Sequence, residues 1–299
     1  MPETRWFDAR AKINLALHVT GRRADGYHLL ETIAVFAGTG DRVGIRPSGR
    51  DRFAIEGPEA GALANEDSAG NLVVRARDLV RRIARDHGIA APPADIILDK
   101  RLPAGSGIGG GSADAAATLN ALTLDWDTAG AAAQAVRDRA VTLGADVPMC
   151  LASRPLVASG VGERIRPLAN MPALALVLAN PRRHVSTPAV FSALSVKDNP
   201  PLPTDETDGL RSAGDWARWL SKRTRNDLEA PSVSLTPEIG DCLEALLAAG
   251  DPLLVRMSGS GATCFAIHAD TGSARAAASQ LLRKHPDWWI TATETGPSP

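Results

Sequence analysis

The chain has 299 residues, 44% hydrophobic and 22% charged, and its 33 Lys and Arg nearly cancel 34 Asp and Glu to leave a formal charge of -1. That length supports one large domain or two of ordinary size, and the charge balance argues against a protein built around a nucleic-acid backbone or an anionic membrane surface. Three cysteines, Cys150, Cys242 and Cys264, stand far apart without a CxxC pair, a pattern of reduced, buried thiols rather than a disulfide framework or zinc site. Met1 to Arg10 carries no apolar leader core, and no apolar run is long enough to span a bilayer. A cytoplasmic protein is expected.

Ile13, Leu15, Leu17 and Val19 alternate with polar or small residues, predicting a half-buried strand. The turn pair Asp25-Gly26 follows, then a second strand over 29–36, together an antiparallel ribbon. Further short strands are expected over 42–46 and 52–55. Asn71 is placed to cap a helix running to about His87, with Leu72, Leu79, Val80 and Ile83 inward and its many arginines solvated. A strand over 94–99 leads into a glycine-rich stretch and an alanine-rich helix over 112–122, and another helix fits 131–143. Short strands are expected at 156–158, 164–168 and 174–178. The Pro-, Asp- and Thr-rich segment 197–214 reads as a long mobile loop. Helices over 215–221 and 237–249 precede a strand, glycine loop, strand unit over 254–268, and a helix over 273–285 with a strand over 288–293 closes the chain. Without strict βαβ alternation the class is α+β, and a domain boundary falls near residue 160.

The segment Leu102-Pro103-Ala104-Gly105-Ser106-Gly107-Ile108-Gly109-Gly110-Gly111-Ser112 carries most of the chemistry. Its glycines are too costly for a helix or strand interior. They suit a curl whose successive N–H groups face one cavity at a helix N-terminus, with Ser112 as cap, and a triphosphate fits such a cavity. Gly105, Gly107 and Gly110 satisfy GxGxxG, but no strand-ending acid follows at the dinucleotide spacing, and no Walker Gly-Lys-Ser/Thr is present.

Read as Pro-x-Gly-x-Gly-Ile-Gly-Gly-Gly-Ser-x-x-Ala-Ala-Ala, Pro103 to Ala117 resembles the phosphate loop of the GHMP kinases. Ala11-Lys12-Ile13-Asn14-Leu15, Asp25-Gly26-Tyr27-His28, Gly144-Ala145-Asp146-Val147-Pro148, Asn226-Asp227-Leu228-Glu229 and Met257-Ser258-Gly259-Ser260-Gly261 are similar, in order, to the branch acting on a cytidyl-diphospho methylerythritol. The resemblance implies a two-domain GHMP fold, residues 1–160 and 161–299, with mixed sheets packed by helices and the active site in the cleft between domains. It implies ATP-dependent phosphorylation of the 2-hydroxyl of that small molecule, in isoprenoid precursor synthesis. Another GHMP kinase activity, or an inactive ligand sensor, is the alternative; retention of Lys12, Asp146 and the loop argues against a sensor.

Phosphoryl transfer needs positioned phosphates, charge neutralisation and a proton acceptor. Asp146 is the candidate base, although an Asp before a helical turn is also an ordinary cap. Lys12 lies on a strand otherwise apolar on one face, where a lone lysine more commonly reaches for solvent; beside Asp146 it would keep the carboxylate ionised and offset transferring charge. Mg2+ is expected with ATP, with the Ser112 hydroxyl as a possible ligand or simply a helix cap. The commoner family loop reads Gly-Ser-Ser-Asn-Ala-Ala, so the hydroxyl missing at Ala113, beside Asp114, carries no role here. The resemblance further implies that Tyr27 and Phe191 stack on the cytosine, His28 meets the base edge, Asn14 and Thr187 contact polyol and phosphates, and Lys100 and Asn71 lie near the adenine. The second glycine loop, 258–261, either closes the phosphate pocket or is a plain hairpin turn.

Overall fold

The computed structural model of the protein describes residues 3–64 and 67–296. Its first half runs β1 (Arg5–Arg22), β2 (His28–Pro47), β3 (Arg52–Glu56), α1 (Leu72–Asp86), β4 (Ala94–Asp99), α2 (Gly110–Asp125), α3 (Gly130–Arg139) and α4 (Val147–Ala152). The second half runs β5 (Leu156–Gly160), β6 (Arg164–Pro167), β7 (Ala175–Asn180), α5 (Thr187–Ser192), α6 (Ala213–Arg223) and α7 (Glu229–Leu235). It closes with α8 (Glu238–Leu247), β8 (Leu254–Met257), β9 (Cys264–His268), α9 (Thr271–Lys284) and β10 (Trp289–Glu294). The class is α+β, and no helix among the described residues is long and apolar enough to cross a membrane.

The chain divides into two compact units that interleave along the sequence. The first comprises Met1–Ala11, Thr39–Ala104 and Gly109–Ala152; the second comprises Lys12–Gly38, Gly105–Ile108 and Ser153–Pro299. Both β1 and β2 therefore contribute residues to each.

In the first unit, Arg42–Pro47 of β2 pairs antiparallel with β4, and β3 lies parallel along the other edge of β4. The predicted short strand over 42–46 is thus the far end of β2, because Gly38-Thr39-Gly40 stays extended instead of turning. Helices α1 to α4 pack on one another. Asn71 caps α1 as expected, its Oδ1 accepting the Val73 N–H at 2.9 Å, and Val73, Leu79, Val80 and Ile83 are buried. The alanines of α2 are buried from Ala113 through Ala117, small enough to let the neighbouring helices approach closely. Arginines of α1 spend their charge locally: Arg81 forks onto Asp51 and Arg77 pairs with Asp78.

The second unit is centred on a four-stranded antiparallel sheet in the order β10-β7-β9-β8, with α8 and α9 against it. Leu17, Val19, Val177, Ile239, Leu246, Met257, Ala266 and Leu281 share its core. Residues 30–34 of β2 pair with β5, which pairs with β6. Two expectations change here. The strand over 13–19 is buried on both faces, so its polar residues need partners: Asn14 donates to Thr32, and His18 meets Pro200 O and the Arg225 N–H. The segment over 197–214 is anchored: Asn199 N–H donates to Val19 O, Leu202 N–H donates to Glu31, and Leu202 is buried. Cys150, Cys242 and Cys264 are buried, as expected.

Candidate active site

The glycine-rich segment leaves β4 and enters α2. Gly105, Gly107 and Gly109 have φ of 58°, 76° and 66°, while Ser106 and Ile108 between them do not take positive φ. Such alternation is the backbone pattern of an anion nest, in which successive N–H groups face one side. Gly109 in the left-handed region is the residue that precedes α2, so Ser112 is not its cap: it sits in the first turn, and no side chain caps this end. The first turn of α2 carries N–H groups without helical partners, and such a terminus favours an anion.

Residues 105–108 are held by the rest of their unit. Lys12 N–H donates to Ile108 O at 2.9 Å, Thr263 N–H to Ser106 O at 3.1 Å, and the Ser258 hydroxyl to Gly107 O at 3.1 Å. The second glycine loop therefore buttresses the first. Ser258 Oγ also accepts the Asn14 N–H at 3.0 Å, and Asn226 Nδ2 donates to Met257 O and Gly259 O, both at 2.8 Å. Glu229 accepts the Met257 N–H at 2.7 Å. The Asn226–Glu229 motif, noticed only as a pattern in the sequence, is the frame of this loop. Buried Arg256 braces the approach, donating to Leu15 O, Leu220 O and Thr224 O; burial pulls its pKa down to about 10, with Glu229 opposing.

In the first unit a cavity of 380 Å³ is lined by Phe53, Ile55, Ala60, Leu63, Ser68 and Asn71. Apolar walls with a few polar groups suit a flat heteroaromatic base. Lys100, expected near the adenine, reaches this region through its backbone, its carbonyl accepting the Glu59 N–H at 3.0 Å. Its ammonium turns inward instead, to Asp41 and Asp114. Because Asn71 both caps α1 and lines the cavity, Asn71→Ala is expected to cost about 1 kcal/mol of stability. Asn71→Asp is expected to restore most of it, measured by chemical unfolding.

Asp146 precedes α4, is half-buried, and its carbonyl accepts the Cys150 N–H at 3.0 Å. In the same unit, the Ser112 hydroxyl lies 3.8 Å from where a Cβ on Gly144 would stand, so the first turn of α2 borders the Gly144–Asp146 segment. Lys12 is buried at 4% exposure and belongs to the second unit. The predicted acceptor residues are all in that unit as well. His28 stacks on Phe191 with centroids 4.8 Å apart and planes 22° from parallel, whereas Tyr27 is 67% exposed. Thr187 Oγ1 and Ser260 Oγ are 2.8 Å apart. Burial, then the charges of Arg22 and Lys197, lower the His28 pKa, favouring the neutral ring. Asn14 Oδ1, His28 Nε2 and Ser106 Oγ are buried without a hydrogen-bond partner; such orphans in native proteins call for an explanation, and a ligand is one. Asp41, which the sequence reading missed, and Asn226, Glu229 and Ser258, which it noticed only as parts of motifs, act through contacts distant in the chain.

Residues 71–154 match the GHMP kinases N terminal domain and residues 208–287 match GHMP kinases C terminal. The chain belongs to the GHMP kinases, a family of ATP-dependent small-molecule kinases. It is 52% identical over 287 residues to a 4-diphosphocytidyl-2-C-methyl-D-erythritol kinase of Agrobacterium fabrum, covering 96% of this chain and 95% of that one. A protein of the same name from Rhizobium etli is 52% identical over 290 residues, covering 96% and 94%. A crystal structure of 4-(cytidine 5'-diphospho)-2C-methyl-D-erythritol kinase superposes with a TM-score of 0.77 at 33% identity, covering 98% of this chain and all of that one. The homoserine kinase of Cytophaga hutchinsonii, at 17% identity and a TM-score of 0.69 over 99% and 96% of the two chains, shares the fold.

Proposed function

We propose that the protein transfers the terminal phosphate of ATP to the 2-hydroxyl of 4-diphosphocytidyl-2-C-methyl-D-erythritol, a step of the non-mevalonate route to isoprenoid precursors. The near-complete overlap with kinases of that name at half identity carries this reading. Support comes from the nest at 105–109, the base-sized cavity at Asn71, and the orphaned polar atoms of Asn14, His28 and Ser106. In this reading the backbone from Pro103 to Ser112 holds the triphosphate and Asn71 borders the adenine. The acceptor is bound by Asn14, Tyr27, His28, Thr187 and Phe191. Asp146 takes the hydroxyl proton, and Lys12 offsets charge on the moving phosphoryl group. The oxygen donors of Ser112 and Asp146, on bordering segments of one unit, fit a hard cation that keeps most of its water. Mg2+ held there with the phosphates would supply charge neutralisation. The division of the family domains near residue 160 is supported by the two matched ranges falling on either side of it. We place the protein in the cytoplasm, without nucleic-acid or membrane partners.

The test is an acceptor panel with Mg-ATP: the cytidyl-diphospho polyol, homoserine, galactose and mevalonate. Phosphorylation of the first alone is expected. Turnover confined to another acceptor would overturn the substrate, and none at all would favour a ligand sensor.

A further inference from the structure

The proposed acceptor brings a diphosphate, yet the residues assigned to it supply no fixed positive charge. Asn14, Tyr27, Thr187 and Phe191 are uncharged, the neutral His28 ring is favoured, and Lys12 serves the moving phosphoryl group. Two cations of the same unit, Arg22 and Lys197, stand beside the stacked His28 and Phe191. β1 ends at Arg22 and β2 begins at His28. The turn between them is closed by the Arg23 N–H, which donates to Tyr27 O at 2.8 Å, and by Arg22 Nε, which donates to Gly26 O at 3.2 Å. From Phe191 the chain returns to β1 at Asn199, whose N–H and Nδ2 both donate to Val19 O, at 3.0 and 3.1 Å. Lys197 lies between those anchors and is half-buried.

We infer that Lys197, assisted by Arg22, binds the acceptor's diphosphate and so selects a diphospho acceptor. An ammonium drawn half out of water ordinarily has a carboxylate to offset the lost hydration. Among the described residues no hydrogen bond or ion pair reaches Lys197, and no carboxylate pairs with Arg22. The acids of the region are engaged elsewhere: Asp25 with Arg23, Glu31 with the Leu202 N–H, and Asp227 with Arg225 and the Val19 N–H. Asp198, next to Lys197 in the chain, is exposed and pairs with neither cation. Both cations act on one place: after burial, the charges of Arg22 and then Lys197 lower the His28 pKa. Like charges converging without an acid repel, and a bound anion removes that cost. A base set against His28 and Phe191 carries its diphosphate on the adjoining ribose, so the negative charge enters the same field. Galactose and homoserine bring no such charge.

This rests on the His28 and Phe191 region being the acceptor site, and the test separates the two ideas. Binding of cytidine and of cytidine diphosphate to the full chain is measured by calorimetry, with a non-hydrolysable ATP analogue filling the nucleotide site. The unmodified protein is expected to hold the diphosphate more tightly than the nucleoside. Lys197→Met is expected to weaken the diphosphate about 10-fold, the size of one charge-assisted contact at a partly wet site, and to leave cytidine unmoved. Lys197→Arg, which keeps the charge, is expected to recover most of that loss, and Arg22→Gln to show a smaller one because Arg22 is exposed. In kinetics Lys197→Met raises the acceptor KM and leaves the ATP KM as it was. Equal losses for cytidine and its diphosphate would mean a packing role and overturn the inference, as would an unaltered diphosphate affinity or a raised ATP KM alone. Should Lys197→Met fail to fold, ionic strength decides on the unmodified chain. Diphosphate affinity that falls with salt while cytidine affinity holds supports the inference, and equal salt responses refute it. Failure of the unmodified protein to bind either compound would sink the acceptor site and the inference with it, an outcome distinct from binding that ignores Lys197.

Discussion

Asp146→Asn is expected to lower turnover by roughly 10²–10⁴-fold, the range for removing a general base, while ATP still binds. The substitution preserves shape, and the bond that starts α4 runs through the Asp146 backbone carbonyl, which the substitution leaves in place. What disappears is the carboxylate itself, half-buried beside the segment that borders Ser112. Calorimetric ATP binding alongside kcat distinguishes the cases: lost binding with lost turnover would mean a structural role, and unaltered turnover would remove Asp146 from the chemistry. Lys12→Met is the companion variant. If the ammonium serves the same step, the double variant is no worse than the poorer single one, because groups that act together are not additive.

The second large effect is at Gly107. A Cβ there would stand 2.6 Å from the carbonyl oxygens of Gly261 and Ser258 and 2.8 Å from Gly261 N, at a φ of +76°. These are backbone atoms in a loop held by Asn226 and Glu229, so no side chain can swing away. Left-handed strain and forced repacking together are expected to cost Gly107→Ala about 2–4 kcal/mol. Because the nest itself must open, ATP binding is expected to weaken as well. Gly209→Ala, where an added Cβ meets nothing within 4 Å, controls for glycine replacement in general. Equal unfolding midpoints for the two variants would refute the close approach.

Local chemistry made much of the fold legible. The Asn71 cap, the β8 to β9 unit and the punctuation of the phosphate loop are written in adjacent residues, and they fall where expected. Burial was harder to read, because it depends on what arrives from elsewhere. The alternation over 13–19 gave the strand, but not the cover over Asn14 and His18, which comes from residues such as Thr32 and Pro200. Ser112 looked like a cap because serine favours that position; three glycines before it let the helix begin earlier, with Gly109 taking the left-handed turn. The proline-rich segment looked mobile by composition, yet a few backbone hydrogen bonds and one buried leucine anchor it. Asp41 gave no signal at all: an acid near two glycines suggests a surface turn, and its partner lies 59 residues away.

The interleaving of the two units has a consequence for synthesis on the ribosome. Leu17 and Val19 are made almost first, but they share a core with Leu281 of α9. At synthesis rates of about 5–20 residues per second, they wait on the order of 10–50 s for Leu281. During that interval the start of the chain lacks the α9 side of its native core.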